Sequence, residues 1–538
     1  MAIGTNLPDR AHGQAELAIL HAQNYLQVKI FSSKETRQID GYAISDLGIP
    51  GENLMGAAGL AVAHQAKKML LVSGGKKVAI ICGKGNNGGD GYAAAININK
   101  FGVKVSLLSI VSAEDITGDA KIFHNRCINA GLSCHYNVTP KNIDFQEYDL
   151  LIDGLLGTGI HGKVRANVAE WIKSVNESKK PVLSIDIPSG INSDNGQVLG
   201  VGIKADTTVT MGFLKLGLVI NPGVEYAGTV EVADIGYPEK SFEIVESNKR
   251  LANESIVKTY LQKPPSDTYK HRQGKVYFLG GSRGFTGAAC LSCEAALRAG
   301  AGLVIAGIPE TLNPIYETKL TEVITDPLPD TGSGRFSRKA AEYAQTKLDW
   351  CDVLAIGPGL GTDEETLQFA RKIIKRFTKA MIIDADALRV FHGNLDLFQE
   401  LEGRFIITPH YGEAAMLTDI NKQKIIESPF EFLKDLSRMI GGVVVLKGAP
   451  TLIGFEGQIV VSTTGHQGLA TGGSGDVLTG ILAGITAQGV PLEAAAEVAV
   501  YIHGKAADIL LEKRGYRGLI ASDLLDVLPN MIYQYECN

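Results

Sequence analysis

Residues 463–476 read Thr463-Thr464-Gly465-His466-Gln467-Gly468-Leu469-Ala470-Thr471-Gly472-Gly473-Ser474-Gly475-Asp476, and they run straight into Val477-Leu478-Thr479-Gly480-Ile481-Leu482-Ala483-Gly484-Ile485. In that tail Leu478, Ile481, Leu482 and Ile485 recur at i, i+3, i+4 and i+7, the spacing of one helix face. A loop dense in glycine therefore opens a buried helix. The first turn of a helix carries unpaired N–H groups, and its dipole favours negative charge there. Glycines let the backbone itself approach an anion. Asp476 stands at the mouth of that site. It would repel a resting phosphate, so it makes sense mainly as a base for a hydroxyl that attacks phosphorus. Taken in isolation, the stretch also reads as an ordinary loop with a carboxylate helix cap. The rest of the chain favours the anion site.

A chain of 538 residues implies more than one domain, because single cores rarely grow beyond roughly 250–300 residues. Its 62 glycines are about 11–12% of the chain against a usual ~7%, and they cluster in loops after apolar runs. The formal charge of -6 gives no electrostatic case for nucleic acid or an anionic membrane. No apolar run reaches the ~20 residues that span a bilayer. No basic region followed by an apolar core precedes Gln27, so no secretory signal is expected; Ala15–Leu26 could form a short amphipathic helix. Seven cysteines argue against a disulfide framework. Cys290-Leu291-Ser292-Cys293 lacks the second ligand pair a zinc site needs and lies in a small-residue helix, where buried cysteines are the simpler reading. These features fit a reduced, cytoplasmic enzyme.

In the first half, Ser33–Leu47 and Asn53–Val72 read as helices. Lys77–Gly83 reads as a buried strand leading through Lys84–Gly91 to a helix from Tyr92. Further strands are expected at Val103–Ile110, Leu150–Asp153 and Val182–Asp186, with helical segments such as Thr117–Ala130 between them. This alternation implies a parallel sheet with helices on both faces. Ligands of such sheets bind beyond the carboxyl ends of the strands. Three loops there carry functional residue types: Asn86–Asp90, Asp153–Lys163 and Asp186-Ile187-Pro188-Ser189-Gly190. Each alone could be turn chemistry. Together they form a pocket with two or three carboxylates, suited to a hard cation or to ribose hydroxyls.

Asn86-Asn87-Gly88-Gly89-Asp90-Gly91, with the Asp153 loop and Asp186-Ile187-Pro188-Ser189-Gly190, resembles the NAD(P)H-hydrate epimerase domain (the YjeF N-terminal domain) from about Ser33 to Ile235. The resemblance implies a Rossmann-like three-layer α/β/α fold. It implies that Asn86, Asn87, Gly88, Gly89, Asp90, Gly157, Thr158, Gly159, Ile160, His161, Gly162, Lys163 and Asp186 contact the hydrated coenzyme. It implies that Asn87, Asp153 and Ser189 hold a potassium ion, and that Asp186 is the acid/base for inversion at C6 of the nicotinamide ring.

The α/β alternation restarts at Lys275. Strands are expected at Val276–Leu279, Leu303–Gly307, Val353–Ile356, Met381–Ile383, Phe405–Thr408 and Val443–Leu446, almost all ending in distinctive loops. Among these are Gly357-Pro358-Gly359-Leu360-Gly361, Asp384-Ala385-Asp386-Ala387-Leu388, Thr408-Pro409-His410 and Lys447-Gly448-Ala449-Pro450-Thr451. His410 and Lys447 singly would read as a satisfied loop histidine and a solvated lysine; directly after buried strands they read as ligand contacts. This half, from about Lys263 to Ile532, resembles the ADP- or ATP-dependent NAD(P)H-hydrate dehydratases of the ribokinase-like superfamily. The resemblance implies that Lys447, Gly448, Ala449, Pro450, Thr451 and Gly475 bind the nucleotide. It implies that Ala289, Gly361, His410 and Asp476 meet the hydrate, with Asp476 catalytic. His466 and Tyr411 depart from the family's usual Asn and Pro.

The resulting expectation is an α/β protein with an extension (1–32), an epimerase domain (33–245) and a dehydratase domain (246–538). Its substrates would be NADHX and NADPHX, with ADP or ATP as phosphate donor, Mg2+ on the donor's phosphates and K+ in the epimerase. It would need neither nucleic acid nor membrane and would assemble as a homo-oligomer. The rival readings are a small-molecule kinase, whose phosphorylated product would persist, and a first half that only binds or scaffolds.

Overall fold

The computed structural model describes residues 28–160 and 162–537. The expected Ala15–Leu26 helix and His161 lie outside the described residues. The chain divides into two compact units, one ending at Ser247 and the other starting at Asn248.

The first unit is built on a seven-stranded sheet. In spatial order its strands are Ser133–His135, Lys104–Ser109, Lys77–Cys82, Leu150–Gly154, Val182–Ile185, Thr207–Met211 and Thr229–Ala233, and all pair in parallel. Side chains alternate between the two faces of a strand. Accordingly Val78, Ile80 and Cys82 pack with Leu54, Met55 and Tyr92 on one side, while Ala79 and Ile81 pack with Trp171 and Ile172 on the other. Burial on both faces explains why Lys77–Cys82 is continuously apolar after its first residue.

The helix after this strand begins at Asn86, not the expected Tyr92, so Asn86–Gly91 forms its first turns. The glycines serve packing: a Cβ on Gly88 would overlap the Gly83 carbonyl, and one on Gly89 would press on Met55 and Ala120. Within the segment expected as an extension, Ile30–Phe31 pairs in parallel with Leu214–Lys215. It leads into a helix whose cap, Ser32, is closed reciprocally by Glu35.

The second unit holds a ten-stranded sheet. The expected strands at Lys275–Leu279, Leu303–Pro309, Val353–Ile356, Ala380–Ile383, Phe405–Ile407 and Val443–Leu446 are present. Lys249–Leu251, Ile324–Leu328, Thr451–Phe455 and Gln458–Ser462 are additional. Pairing is parallel except along Thr451–Phe455, which is antiparallel to both neighbours. Two reversals restore direction, so Gln458–Ser462 runs the same way as Val443–Leu446. It therefore delivers the Thr463–Asp476 loop to the same carboxyl edge as the other strands.

The helix Ser474–Ala487 is buried from Val477 to Ala487 without a break, rather than on one face only. Its fully apolar tail is that of a core helix. Gly480 and Gly484 let it press against the helix Thr286–Arg298: a Cβ on Gly480 would overlap the Ser292 carbonyl oxygen. All seven cysteines are free, Cys293 buried and Cys290 partly so. Among the described residues no helix is long and apolar enough to cross a membrane.

Gly480→Ala should therefore overpack this helix pair and cost about 1–3 kcal/mol. Thermal unfolding followed by circular dichroism should show a lower Tm; an unchanged Tm would mean that the two helices do not need this close approach.

Candidate active sites

In the second unit the carboxyl ends of three strands, Ala380–Ile383, Phe405–Ile407 and Val443–Leu446, and the first turns of Ser474–Ala487 converge on Asp384. Its buried carboxylate accepts from Lys447 Nζ at 2.7 Å, Thr408 Oγ1 at 2.5 Å and Thr479 Oγ1 at 2.8 Å. Burial alone would raise this carboxyl. The Lys447 ammonium and the three hydrogen bonds outweigh it and hold Asp384 below its ordinary range. Burial likewise pulls Lys447 down, but Asp384 and Glu413 reverse the sign and raise it. Both partners are therefore ionised, and the two directions agree.

From this anchor Lys447 reaches the mouth of Ser474–Ala487. Its Nζ is the nearest atom to the space beside Gly475, 3.6 Å from where a Cβ would stand. The helix starts at Gly473 with φ 93°, and no side chain caps it. Its first-turn amides therefore face an open, positively polarised mouth. Asp476 sits in that first turn, half-buried, and its carboxyl is pushed up to about 6. Burial is the largest cause, the negative charges of Asp384 and Asp386 add to it, and Lys447 opposes them. A carboxylate near pH 6 can take a proton at neutral pH and is basic enough to want it. Ser292 Oγ donates to the Asp476 carbonyl at 2.8 Å, and His503 Nε2 donates to that of Ser474 at 3.0 Å. Burial holds His503 down to about 4, so its ring stays neutral.

The other expected residues take varied positions. His410 caps the helix Tyr411–Thr418: its Nδ1 accepts from the amides of Gly412 at 2.9 Å and Glu413 at 3.0 Å. That leaves Nε2 as the N–H nitrogen, which lies 3.6 Å from Glu413 Oε1. His410 also bridges to Lys447 across the strand ends. Gly361 donates to Asp386 Oδ2 at 3.0 Å. Gly448, Ala449, Pro450 and Thr451 form the turn from Lys447 into Thr451–Phe455, with Tyr411 packed over Gly448. Ala289 is fully buried on Thr286–Arg298, so its side chain faces the core, against Gly281. His466 is buried too, accepting from the Gly468 amide at 3.0 Å and bonding the Ala507 carbonyl at 2.9 Å. It shapes the loop from within.

In the first unit the three expected loops come together. Asp153 accepts from Ser184 Oγ at 2.9 Å, from the Ser189 amide at 2.9 Å and hydroxyl at 2.6 Å, and from the Leu155 amide at 3.2 Å. Burial raises its carboxyl despite these bonds. Asn87 Nδ2 donates to the Leu156 carbonyl at 2.9 Å. Asn87, Asp153, Ser189 and Leu156 thus gather a carboxylate, a carbonyl, a hydroxyl and an amide oxygen, the donor chemistry of a hard cation. Among the described residues no group of three or more His, Cys, Asp or Glu converges as a metal cage.

Asp186 adopts φ +65°, left-handed backbone that a non-glycine residue rarely holds without cause. Its Oδ1 accepts from Lys215 Nζ at 2.6 Å and from the Met211 amide at 3.2 Å. Lys215 is 1% exposed and was not anticipated. Asp90 lies in the same field: burial first, then the Asp186 charge, push its carboxyl well up, and Lys215 opposes them. Behind them Asp40 bonds Tyr237 and is itself raised by burial. Gly157 lies against Asn87, while Thr158, Gly159, Ile160, Gly162 and Lys163 follow it in the adjoining loop.

Two family models match the chain, one described as NAD(P)H-hydrate dehydratase over residues 276–530 and one as YjeF-related protein N-terminus over residues 51–217. A relative from Moorella thermoacetica, a bifunctional NAD(P)H-hydrate repair enzyme, is 37% identical over 94% of this chain and 97% of its own length. This chain belongs to the bifunctional NAD(P)H-hydrate repair enzymes. An Escherichia coli member is 33% identical over 84% of each chain. The crystal structure of an ADP/ATP-dependent NAD(P)H-hydrate dehydratase from Bacillus subtilis, co-crystallised with ATP and Mg2+, is 28% identical and covers 53% of this chain and 98% of its own, with a TM-score of 0.45.

The buried cluster around Asp384 should matter to stability. Asp384→Ala would leave the Lys447 ammonium without its main partner at a site 2% exposed for the lost carboxylate. Removing one partner of a buried pair costs ~3–5 kcal/mol. A clear fall in Tm is expected; no fall would show the pair to be dispensable for folding.

Proposed function

We infer that the second unit dehydrates the S form of NADHX and NADPHX through the groups around Asp476. The carrying observation is the half-buried Asp476, raised to about 6, in the first turn of an uncapped helix beside the Lys447 ammonium. Hydroxide leaves the hydrated ring poorly. Asp476 takes the proton of the C6 hydroxyl as its oxygen attacks the terminal phosphorus of ADP or ATP. The P–O bond to the leaving nucleotide breaks, releasing AMP or ADP. The C6–O bond then breaks with phosphate as leaving group, the departing phosphate takes the C5 proton, and the C5–C6 double bond of the dihydronicotinamide returns. Charge on the moving phosphoryl is offset by Lys447 and by the amides at Gly475. The turn Lys447–Thr451 lies beside them for the donor, and His410 Nε2 donates toward the hydrate near Gly361. Magnesium would ride on the donor's phosphates and neutralise part of their charge.

In the first unit the reading is epimerisation, with Asn86–Asp90 and Gly157–Lys163 around the hydrated coenzyme. C6 carries both a hydroxyl and the ring nitrogen. Asp186 removes the hydroxyl proton, the C6–N1 pair moves to nitrogen, and the aldehyde formed recloses from its other face. Lys215 Nζ, bonded to Asp186 Oδ1, fixes the direction of that side chain. Asn87, Asp153 and Ser189 would hold potassium, which would lend positive charge to the pocket.

Mixed hydrates incubated with Mg2+ and either ADP or ATP should recover the near-ultraviolet absorbance of the reduced coenzyme. No recovery with either nucleotide rejects the assignment. Asp476→Asn should lose roughly a hundredfold or more in recovery while R and S forms still interconvert; retained recovery would remove Asp476 as the base. Lys215→Met should slow interconversion at least tenfold and leave recovery from the pure S form intact. Equal interconversion in the variant would make Lys215 a packing residue.

A further inference from the structure

A cavity of about 470 Å³ opens in the second unit, lined by Arg283, Thr331, Ser333, Arg335 and Asp363. It adjoins the proposed dehydration site: the space beside Gly361 meets Asp363 Oδ2 at 3.5 Å and Ser282 Oγ at 3.6 Å, while the Gly361 amide holds Asp386. Asp386 in turn is close enough to raise Asp476. The walls are ordered backbone. The Arg283 amide donates to the Gly334 carbonyl at 2.9 Å, and Thr331 to that of Arg335 at 2.9 Å. The hydroxyls of Thr331 and Ser333 pair at 2.7 Å.

The electrostatics favour an anion. Asp363 Oδ1 accepts from the Thr366 amide at 3.2 Å as the cap of the next helix, and its Oδ2 faces Arg335 at 3.7 Å. Arg283 has no carboxylate in ion-pair range among the described residues, so its charge is left over. The Arg283 guanidinium, with Arg335 shared with Asp363 and the one hydroxyl proton that the Thr331–Ser333 pair leaves over, forms a phosphate-binding donor set. A cavity of this size holds a group as large as a nucleoside phosphate.

We propose that this cavity is the subsite for a phosphate ester of the hydrated coenzyme, held by Arg283 and Arg335. The subsite extends the proposed dehydration site and rests on that reading. The nicotinamide end lies toward Gly361 and Asp476, and the phosphorylated remainder of the dinucleotide lies toward the arginines. Both coenzymes carry a pyrophosphate, and only NADPHX adds a ribose 2′-phosphate.

The test is steady-state dehydration by the full chain, with Arg283→Gln and Arg335→Gln beside the unaltered protein, using S-NADHX and S-NADPHX separately. Each variant should raise KM for the hydrate at least tenfold while KM for the nucleotide stays within twofold. A rise for both hydrates assigns the pyrophosphate; a rise for NADPHX alone assigns the 2′-phosphate. Unchanged KM for both hydrates overturns the proposal, as does a rise confined to the nucleotide. Arg283 is exposed, so its variant keeps the question open to test if Arg335→Gln weakens the Asp363 cap and the fold. Failure of the unaltered protein to dehydrate either hydrate would instead reject the functional reading on which the subsite rests.

Discussion

The buried ion pair between Asp384 and Lys447 is the constraint on which the second unit's chemistry depends. One carboxylate, at the end of Ala380–Ile383, collects donors from the ends of two further strands and from the helix Ser474–Ala487. An unpaired charge at that depth would be costly, and paired charges inside a protein often only break even against desolvation. The value of the pair is positional. It fixes where the helix mouth lies relative to the strand ends and sets a cation beside the amides of its first turn. It also places a second negative charge near Asp476, which keeps that carboxyl protonatable close to neutrality.

The first unit reaches a comparable arrangement with different parts. Both units send a buried strand into a helix whose opening turn is rich in glycine and has no side-chain cap. In the first unit, though, the carboxylate that faces a lysine is Asp186, on left-handed backbone. Backbone strain of this kind persists only where neighbours over-determine it. The Met211 amide and Lys215 are those neighbours, and they fix the direction of the Asp186 side chain.

Much of this architecture was legible in the sequence because buried parallel strands are apolar runs bounded by glycine and because the Ser474–Ala487 helix is apolar throughout. The strands that escaped notice have physical reasons for doing so. Lys249-Arg250-Leu251 is too short to show a period, and Ile324–Leu328 carries Asp326 and Pro327 on an edge. Asn86–Gly91 resembled a loop because glycine signals turns, yet here it permits close approach at a helix start. Lys215 was hidden for another reason. Nothing local marks a lysine as buried, and its partner is 29 residues away in the chain. The apolar setting Phe213-Leu214-Lys215-Leu216 was the one available signal. Ala289 and His466 illustrate the converse, since a motif position says nothing of whether a side chain faces the cleft or the core.

The central claim is that Asp476 accepts the hydroxyl proton while burial, Asp384 and Asp386 keep its carboxyl near 6. The pH dependence of kcat/KM for dehydration of S-NADHX tests it most directly. With a base that must be ionised, the rate should be level near neutrality and fall tenfold per unit on the acid side of about pH 6. A profile that stays level down to pH 5, or one whose acid limb survives unchanged in Asp476→Asn, would contradict the account.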